Sequence, residues 1–192
     1  MRIAVTGPHC CGKSTVLKKV KEKLLLLPEV EGKINFITFS GAEAPIDYSS
    51  SAKLKEDKDK ELLLTYWMIA RLMEREIATI GDNVVNVFDR CLVDQYIYPK
   101  KILGEYYPLE MKRYIESYLV KYPYDYIFVL PKNLELLEKY GQKDRTVEYV
   151  TEIEDGYFQF AKENPNCVIL ESEQEKQVDA IFLWLYQKVM EK

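Results

Sequence analysis

Apolar residues recur along the chain in two alternating rhythms. Five β-type runs, Ile3–Thr6, Ile34–Phe39, Asn83–Phe88, Tyr126–Leu130 and Cys167–Leu170, are mostly continuous apolar stretches rather than alternations. That is the pattern of parallel strands buried on both faces. Between them, apolar positions return at helical spacing, which predicts helices over about 14–27, 56–80, 92–103, 108–121, 146–163 and 174–191. In the first, Val16, Leu17, Val20, Leu24 and Leu27 form the stripe and Pro28 ends it. In the last, Val178, Ile181, Phe182 and Leu185 form a core stripe to which no chemistry is assigned. Strands alternating with helices predict an α/β fold, a three-layer sandwich around a five-stranded parallel sheet. No repeat or linker divides residues 1–192, so a single domain is expected.

Two stretches break the rhythm. Residues 40–60 pass from Ser40-Gly41-Ala42-Glu43 through Ser49-Ser50-Ser51 into a run of Lys, Glu and Asp, which reads as a connection entering a long helix. Residues 139–147 are polar and contain Gly141 and Arg145. They read either as a solvated loop or as a lid closing over a ligand.

The chemistry concentrates after the first strand. Residues 7–14 read Gly7-Pro8-His9-Cys10-Cys11-Gly12-Lys13-Ser14, the G-x-x-x-x-G-K-S phosphate-binding loop, or P-loop. Glycines let the backbone curl so that amide N–H groups face phosphate oxygens. The helix that follows, starting near Thr15, adds its own unpaired N–H groups. Gly7 to Thr15 are therefore the expected ATP-binding residues, with Lys13 on the β- and γ-phosphates and the Ser14 hydroxyl on Mg²⁺. The third strand ends in Asp89-Arg90. A carboxylate at the end of a buried strand suits Mg²⁺ or its waters, and an arginine suits an oxyanion. The second strand runs out into Glu43, placed either as a general base or hydroxyl ligand or as a surface glutamate. The long helix carries Tyr66, Trp67, Arg71 and Arg75, which read as a base-stacking set or, for Trp67, as core.

Composition narrows the partners. The net charge of −4 argues against broad nucleic-acid binding. No apolar run approaches a membrane span and no signal-peptide pattern is seen, so a cytoplasmic protein is expected. The four cysteines, Cys10, Cys11, Cys91 and Cys167, have no C-x-x-C spacing, and with His9 as the sole histidine a zinc site is not expected. Cys10 and Cys11 precede a helix N-terminus, where thiols ionise more readily. Redox control is one reading. The other is that they fill motif positions whose amides do the binding, and the motif specifies no side chain there.

These residues resemble the P-loop nucleoside and nucleotide kinases, especially the thymidylate-kinase-like group. The resemblance rests on the P-loop, on Leu62–Arg71, on Val84–Arg90 followed by Asp94 and Tyr98, and on Tyr124–Leu130. It implies a kinase passing the γ-phosphoryl of Mg-ATP to a nucleoside monophosphate, with an acceptor region at about 40–75 and a lid at about 139–147. Lys13, Asp89, Arg90, Arg145 and Glu43 would be catalytic, and Ser14 and Asp89 would serve the metal. Glu43, Tyr66, Arg71, Arg90 and Asp94 would hold the acceptor. The family's Arg-Glu-Pro-Gly after the second strand is here Ala42-Glu43-Ala44-Pro45, without the arginine. Deoxynucleoside and ribosylnicotinamide kinases are therefore alternatives, and a homodimer is compatible with all of them. A nucleotide-dependent switch or regulatory ATPase is the rival from another class. The chain lacks an Asn-Lys-x-Asp guanine motif and a Leu-Ser-Gly-Gly-Gln signature, and is small for an AAA-type ring subunit.

Overall fold

A computed structural model of the chain describes residues 1–39, 44, 57–141 and 146–191. Glu43, Arg145 and most of the 40–56 connection lie outside the described residues, as do positions 142–145 of the proposed lid. The sheet has five strands: β1 (Arg2–Thr6), β2 (Ile34–Ile37), β3 (Val85–Asp89), β4 (Tyr126–Val129) and β5 (Cys167–Ile169). All pair in parallel, in the order β2-β3-β1-β4-β5. The described helices are α1 (Lys13–Leu25), α2 (Lys58–Ile77), α3 (Asp94–Leu103), α4 (Leu109–Lys121), α5 (Leu134–Tyr140), α6 (Val147–Glu163) and α7 (Gln174–Met190). The three-layer expectation holds, with one helix more than the periodicity predicts. That helix, α5, has seven residues, too few for a repeating stripe, and starts where the Asn133 side chain accepts from the Leu136 amide.

Period-two geometry divides each strand between two cores. Ile3, Val5, Val85, Val87, Phe128 and Leu130 pack with Val16, Val20 and Leu24 of α1 and with Val178, Ile181 and Leu185 of α7. Ala4, Phe88, Ile127 and Val129 face the other way, against Ile97 of α3 and Val150, Ile153 and Tyr157 of α6. A third cluster joins Ile69, Leu72 and Met73 of α2 to Leu103 of α3 and Met111 and Ile115 of α4. No described helix is long and apolar enough to cross a membrane.

Beneath the sheet, one buried carboxylate ties three elements together. Glu76 of α2 pairs with the Arg2 guanidinium and accepts from the hydroxyls of Tyr124 and, at 3.4 Å, Tyr118. Burial raises the Glu76 pKa, and its hydrogen bond to Tyr124 and the charge of Arg2 work against that rise. Removing one partner of such a pair strands the other's charge in a dry interior. Glu76→Ala should therefore cost about 3–5 kcal/mol in urea unfolding.

At the other end of α2, Glu61 is 4 % exposed, and its Oε2 has no partner among the described residues. Burial pushes its pKa up to about 7, against a weaker opposing pull from Thr65. The unfolded chain releases this proton near the ordinary value of 4.5, whereas the folded protein holds it until about 7. Stability is therefore lost as pH rises through that window, by about 3 kcal/mol in all. Glu61→Gln should raise Tm by several degrees at pH 8 and leave it unchanged near pH 4, as thermal scans at the two pH values would show.

Candidate active site

The P-loop takes its shape from three positive φ angles in six residues: Gly7 at 144°, Cys10 at 56° and Gly12 at 91°. Gly12 precedes the first turn of α1, and the Val16 amide bonds back to its carbonyl at 2.9 Å. A Cβ on Gly7 would collide with the carbonyl oxygen of Leu130, at the end of the neighbouring strand. Only glycine fits both the angle and the space. Gly7→Ala should weaken ATP binding at least about tenfold, as a titration of a fluorescent ATP analogue would show.

Lys13 curls over this loop. Its ammonium donates to the carbonyls of Gly7 at 2.7 Å and Pro8 at 2.9 Å and touches Cys11 Sγ at 3.4 Å. Two neutral carbonyls are weaker partners for an ammonium than phosphate oxygens, so the contacts are exchangeable. Cys11 is buried, Cys10 is half-buried, and both are free thiols. His9 sits edge-on to Tyr98, with ring centroids 4.6 Å apart, and stacks on Tyr149 of α6 at 6.4 Å. The Tyr98 hydroxyl in turn donates to the Gly7 carbonyl at 3.3 Å. Ser14 and Thr15 are exposed at the start of α1.

Strand pairing brings the second half of the site alongside. Val5 of β1 lies opposite Asp89 of β3. Asp89 is buried, with no partner for its Oδ1 among the described residues. Burial raises its pKa, while the charges of Arg90, Lys13 and Arg75 pull it down and Asp94 adds to the rise. A desolvated carboxylate oxygen without a protein partner, near the Ser14 hydroxyl's helix, suits a hard cation that prefers oxygen. No group of three or more His, Cys, Asp or Glu side chains poised for a metal occurs among the described residues. Mg²⁺ sites commonly need only one or two protein ligands beside phosphates, so these residues fit that ion.

Arg90 adopts φ 69°, a left-handed angle that costs a non-glycine residue about 1–3 kcal/mol. Burial disfavours its charge, but Asp94, Tyr98, Asp89 and Tyr157 outweigh that effect and raise its pKa. Asp94 is spent inside the protein. Its Oδ1 accepts from the hydroxyls of Thr6 and, at 2.7 Å, Tyr157, and its Oδ2 accepts from the Cys91 amide at 3.3 Å. Asp94 thus joins β1, α3 and α6.

The long helix α2 presents a different face from the one expected. Arg71 is on its exposed side, paired with Glu74, and Tyr66 is half exposed. Arg75, one turn further on, enters the site instead. It donates from Nη2 to the Arg90 carbonyl at 2.7 Å, with Phe39 and Phe88 rings 5.4 and 5.6 Å from its Cζ. Its Nε and Nη1 are buried without partners among the described residues. Spacing alone does not separate the two arginines, since Arg75 follows the buried Met68 by seven residues and Arg71 follows the buried Leu64 by seven.

A P-loop on the central strand, opposed by a strand-end carboxylate, defines the class of fold, and comparison with known proteins agrees. Residues 2–176 match the family model described as AAA domain, and the chain belongs to that family. No curated protein matches. Among solved structures, it is similar to deoxyadenosine kinase from M. mycoides with bound dATP, at 19% identity and TM-score 0.70, covering 97% of this chain and 100% of that one. The same enzyme with the products dCMP and a flexible dCDP gives 18% identity and TM-score 0.66 over the same shares. Thymidylate kinase from Ehrlichia chaffeensis gives 14% identity and TM-score 0.59, covering 98% of each chain. The fold is that of the P-loop nucleoside and nucleotide kinases.

Proposed function

We propose that the protein is an ATP-dependent kinase that phosphorylates a small nucleoside-type acceptor. Lys13 and Asp89 on adjoining elements at one end of the sheet support the reaction class. Phosphoryl transfer asks the protein for positioning and charge neutralisation rather than covalent chemistry. Lys13 and the loop amides would hold the donor phosphates, and Arg90 would face the charge that moves between donor and acceptor. Ser14 and Asp89 would hold Mg²⁺, which when bound neutralises phosphate charge. Glu43 and Arg145 remain the proposed base and lid arginine.

The cationic side chains near the site bear on the choice of acceptor. A monophosphate needs cationic partners. The arginine expected to supply one lies on the solvent face of α2, paired with Glu74. Ala42-Glu43 lacks the arginine that accompanies Glu in thymidylate kinases. A nucleoside therefore fits better than the monophosphate that the sequence resemblance favours, in keeping with the likeness to deoxyadenosine kinase. One observation favours the monophosphate still: the Nε and Nη1 nitrogens of Arg75 are buried without partners among the described residues. The family description as an AAA domain favours a third reading, ATP hydrolysis coupled to a switch.

An ATP-consumption screen against nucleosides and their monophosphates separates the three. Nucleoside-dependent turnover is expected. Turnover only with monophosphates would restore the other acceptor, and turnover indifferent to every acceptor would mark an ATPase. Lys13→Ala should lower acceptor-dependent kcat by about a hundredfold or more while thermal unfolding stays cooperative. Arg71→Ala should change the acceptor KM by less than about twofold.

A further inference from the structure

We propose that Arg75 is a positioning residue for phosphoryl transfer: it holds Arg90 in its left-handed conformation, so that the Arg90 guanidinium stays beside Asp94 and Tyr98 at the P-loop. The inference rests on the kinase reading above. It starts from the backbone of residue 90, which is fixed from both sides. The Arg90 amide donates to the Val5 carbonyl of β1 at 3.0 Å, and its carbonyl accepts from Arg75 Nη2 at 2.7 Å. The first bond continues the sheet. The second is supplied by a side chain from α2, and it falls on the residue whose φ is 69°.

The setting of Arg75 is suited to such a task. Its Cζ lies 5.4 Å from the ring centroid of Phe39, beyond β2, and 5.6 Å from that of Phe88, on β3. Contact with two aromatic rings restricts where a planar cation can go. The main chain of α2 at this point is anchored by the next residue, Glu76, through Arg2 and Tyr124. A rigid helix thus delivers a rigid donor to one carbonyl. Arg90 itself makes no side-chain hydrogen bond among the described residues, so its direction depends on its backbone and on the charges around it. Among its electrostatic partners are the Asp94 carboxylate, locked by Thr6 and Tyr157, and the phenol Tyr98, whose hydroxyl reaches the Gly7 carbonyl. The hydrogen bond from Arg75 and the electrostatic coupling of Arg90 thus link α2 to the surroundings of the loop.

Kinetics of Arg75→Met, Arg90→Gly and the double variant test this. Glycine at 90 removes the guanidinium and adopts the left-handed angle freely. Arg75→Met should lower kcat at least about tenfold, with the acceptor KM and ATP affinity within about threefold. In the Arg90→Gly background the same change should cost less than about twofold, because the residue through which it acts is gone. Equal losses in both backgrounds, or a loss carried by the acceptor KM, would overturn the proposal. Crystal structures of Arg75→Met and Arg75→Lys give a readout independent of activity. Methionine should release residue 90 from its positive φ or displace the Arg90 side chain, whereas lysine, which keeps a charge and a donor, should hold it. An unchanged Arg90 in folded Arg75→Met would refute the idea. If the Arg75→Met variant does not fold, the lysine variant decides: Arg90 held in place with kcat within about threefold of wild type supports the proposal, and Arg90 held in place with kcat still lowered about tenfold, or displaced with kcat unchanged, refutes it. Should the wild-type protein phosphorylate no acceptor, the kinase reading falls, and the Arg75→Met structure alone decides the positioning claim.

Discussion

The parallel pairing of β1 with β3 is the constraint on which the site depends. The two strands are far apart in sequence, and their register puts Val5 opposite Asp89. Two residues beyond Val5, β1 gives way to the P-loop at Gly7, and one residue beyond Asp89, β3 gives way to Arg90. Because side chains alternate along a strand, a slip of one residue would send Asp89 to the other face of the sheet. The register is held by apolar packing that has nothing to do with phosphate: Val85 and Val87 against α1 and α7, Phe88 against α3 and α6. The core thus sets the distance between the P-loop and the Asp89 carboxylate.

The residues around this junction are divided by their degree of satisfaction. Asp94 has both oxygens occupied by protein donors and joins three elements. Glu76 is likewise occupied, beneath the sheet. Asp89 Oδ1 and the Nε and Nη1 of Arg75 are buried and lack partners among the described residues. A buried polar atom without a partner costs about 1–3 kcal/mol, so a fold retains few of them. They occur here at the carboxyl ends of the strands, where open parallel sheets bind ligands. Occupied carboxylates build the scaffold, and the unoccupied Asp89 oxygen marks where a ligand would repay the cost.

Legibility in the sequence follows from how local each feature is. The P-loop was readable because its glycines, lysine and serine are fixed by spacing within one turn of chain. The sheet was readable because doubly buried strands are continuous apolar runs, and Asp89 because it ends one of them. Helix faces were harder to read. Arg71 and Arg75 are a single turn apart and chemically alike, and only the packing of Met68 and Leu72 against their neighbours puts the second inside. Asp94 looked like a ligand residue because its carboxylate sits near Asp-Arg in sequence. Its hydroxyl partners, Thr6 and Tyr157, come from opposite ends of the chain and left no local signal. Cys10 and Arg90 break the ordinary backbone rule for non-glycine residues, which composition does not reveal.

The likeness to nucleoside and nucleotide kinases and the membership in a family described as AAA domain pull the functional reading in different directions, and both readings bear on the helix α2. A nucleotide switch needs a site for ATP and a part that responds to it. A kinase needs, in addition, a second wall facing the donor phosphates. Twenty residues of α2 rise about 30 Å, roughly twice the span of a five-residue strand. Arg75, near the carboxyl-terminal end of α2, bonds to the residue just past β3. Towards the other end, Leu64 and Met68 pack with Phe39, Ala44 and Trp67. These contacts fix α2 against the strand end that carries Asp89 and Arg90, a requirement that both readings share.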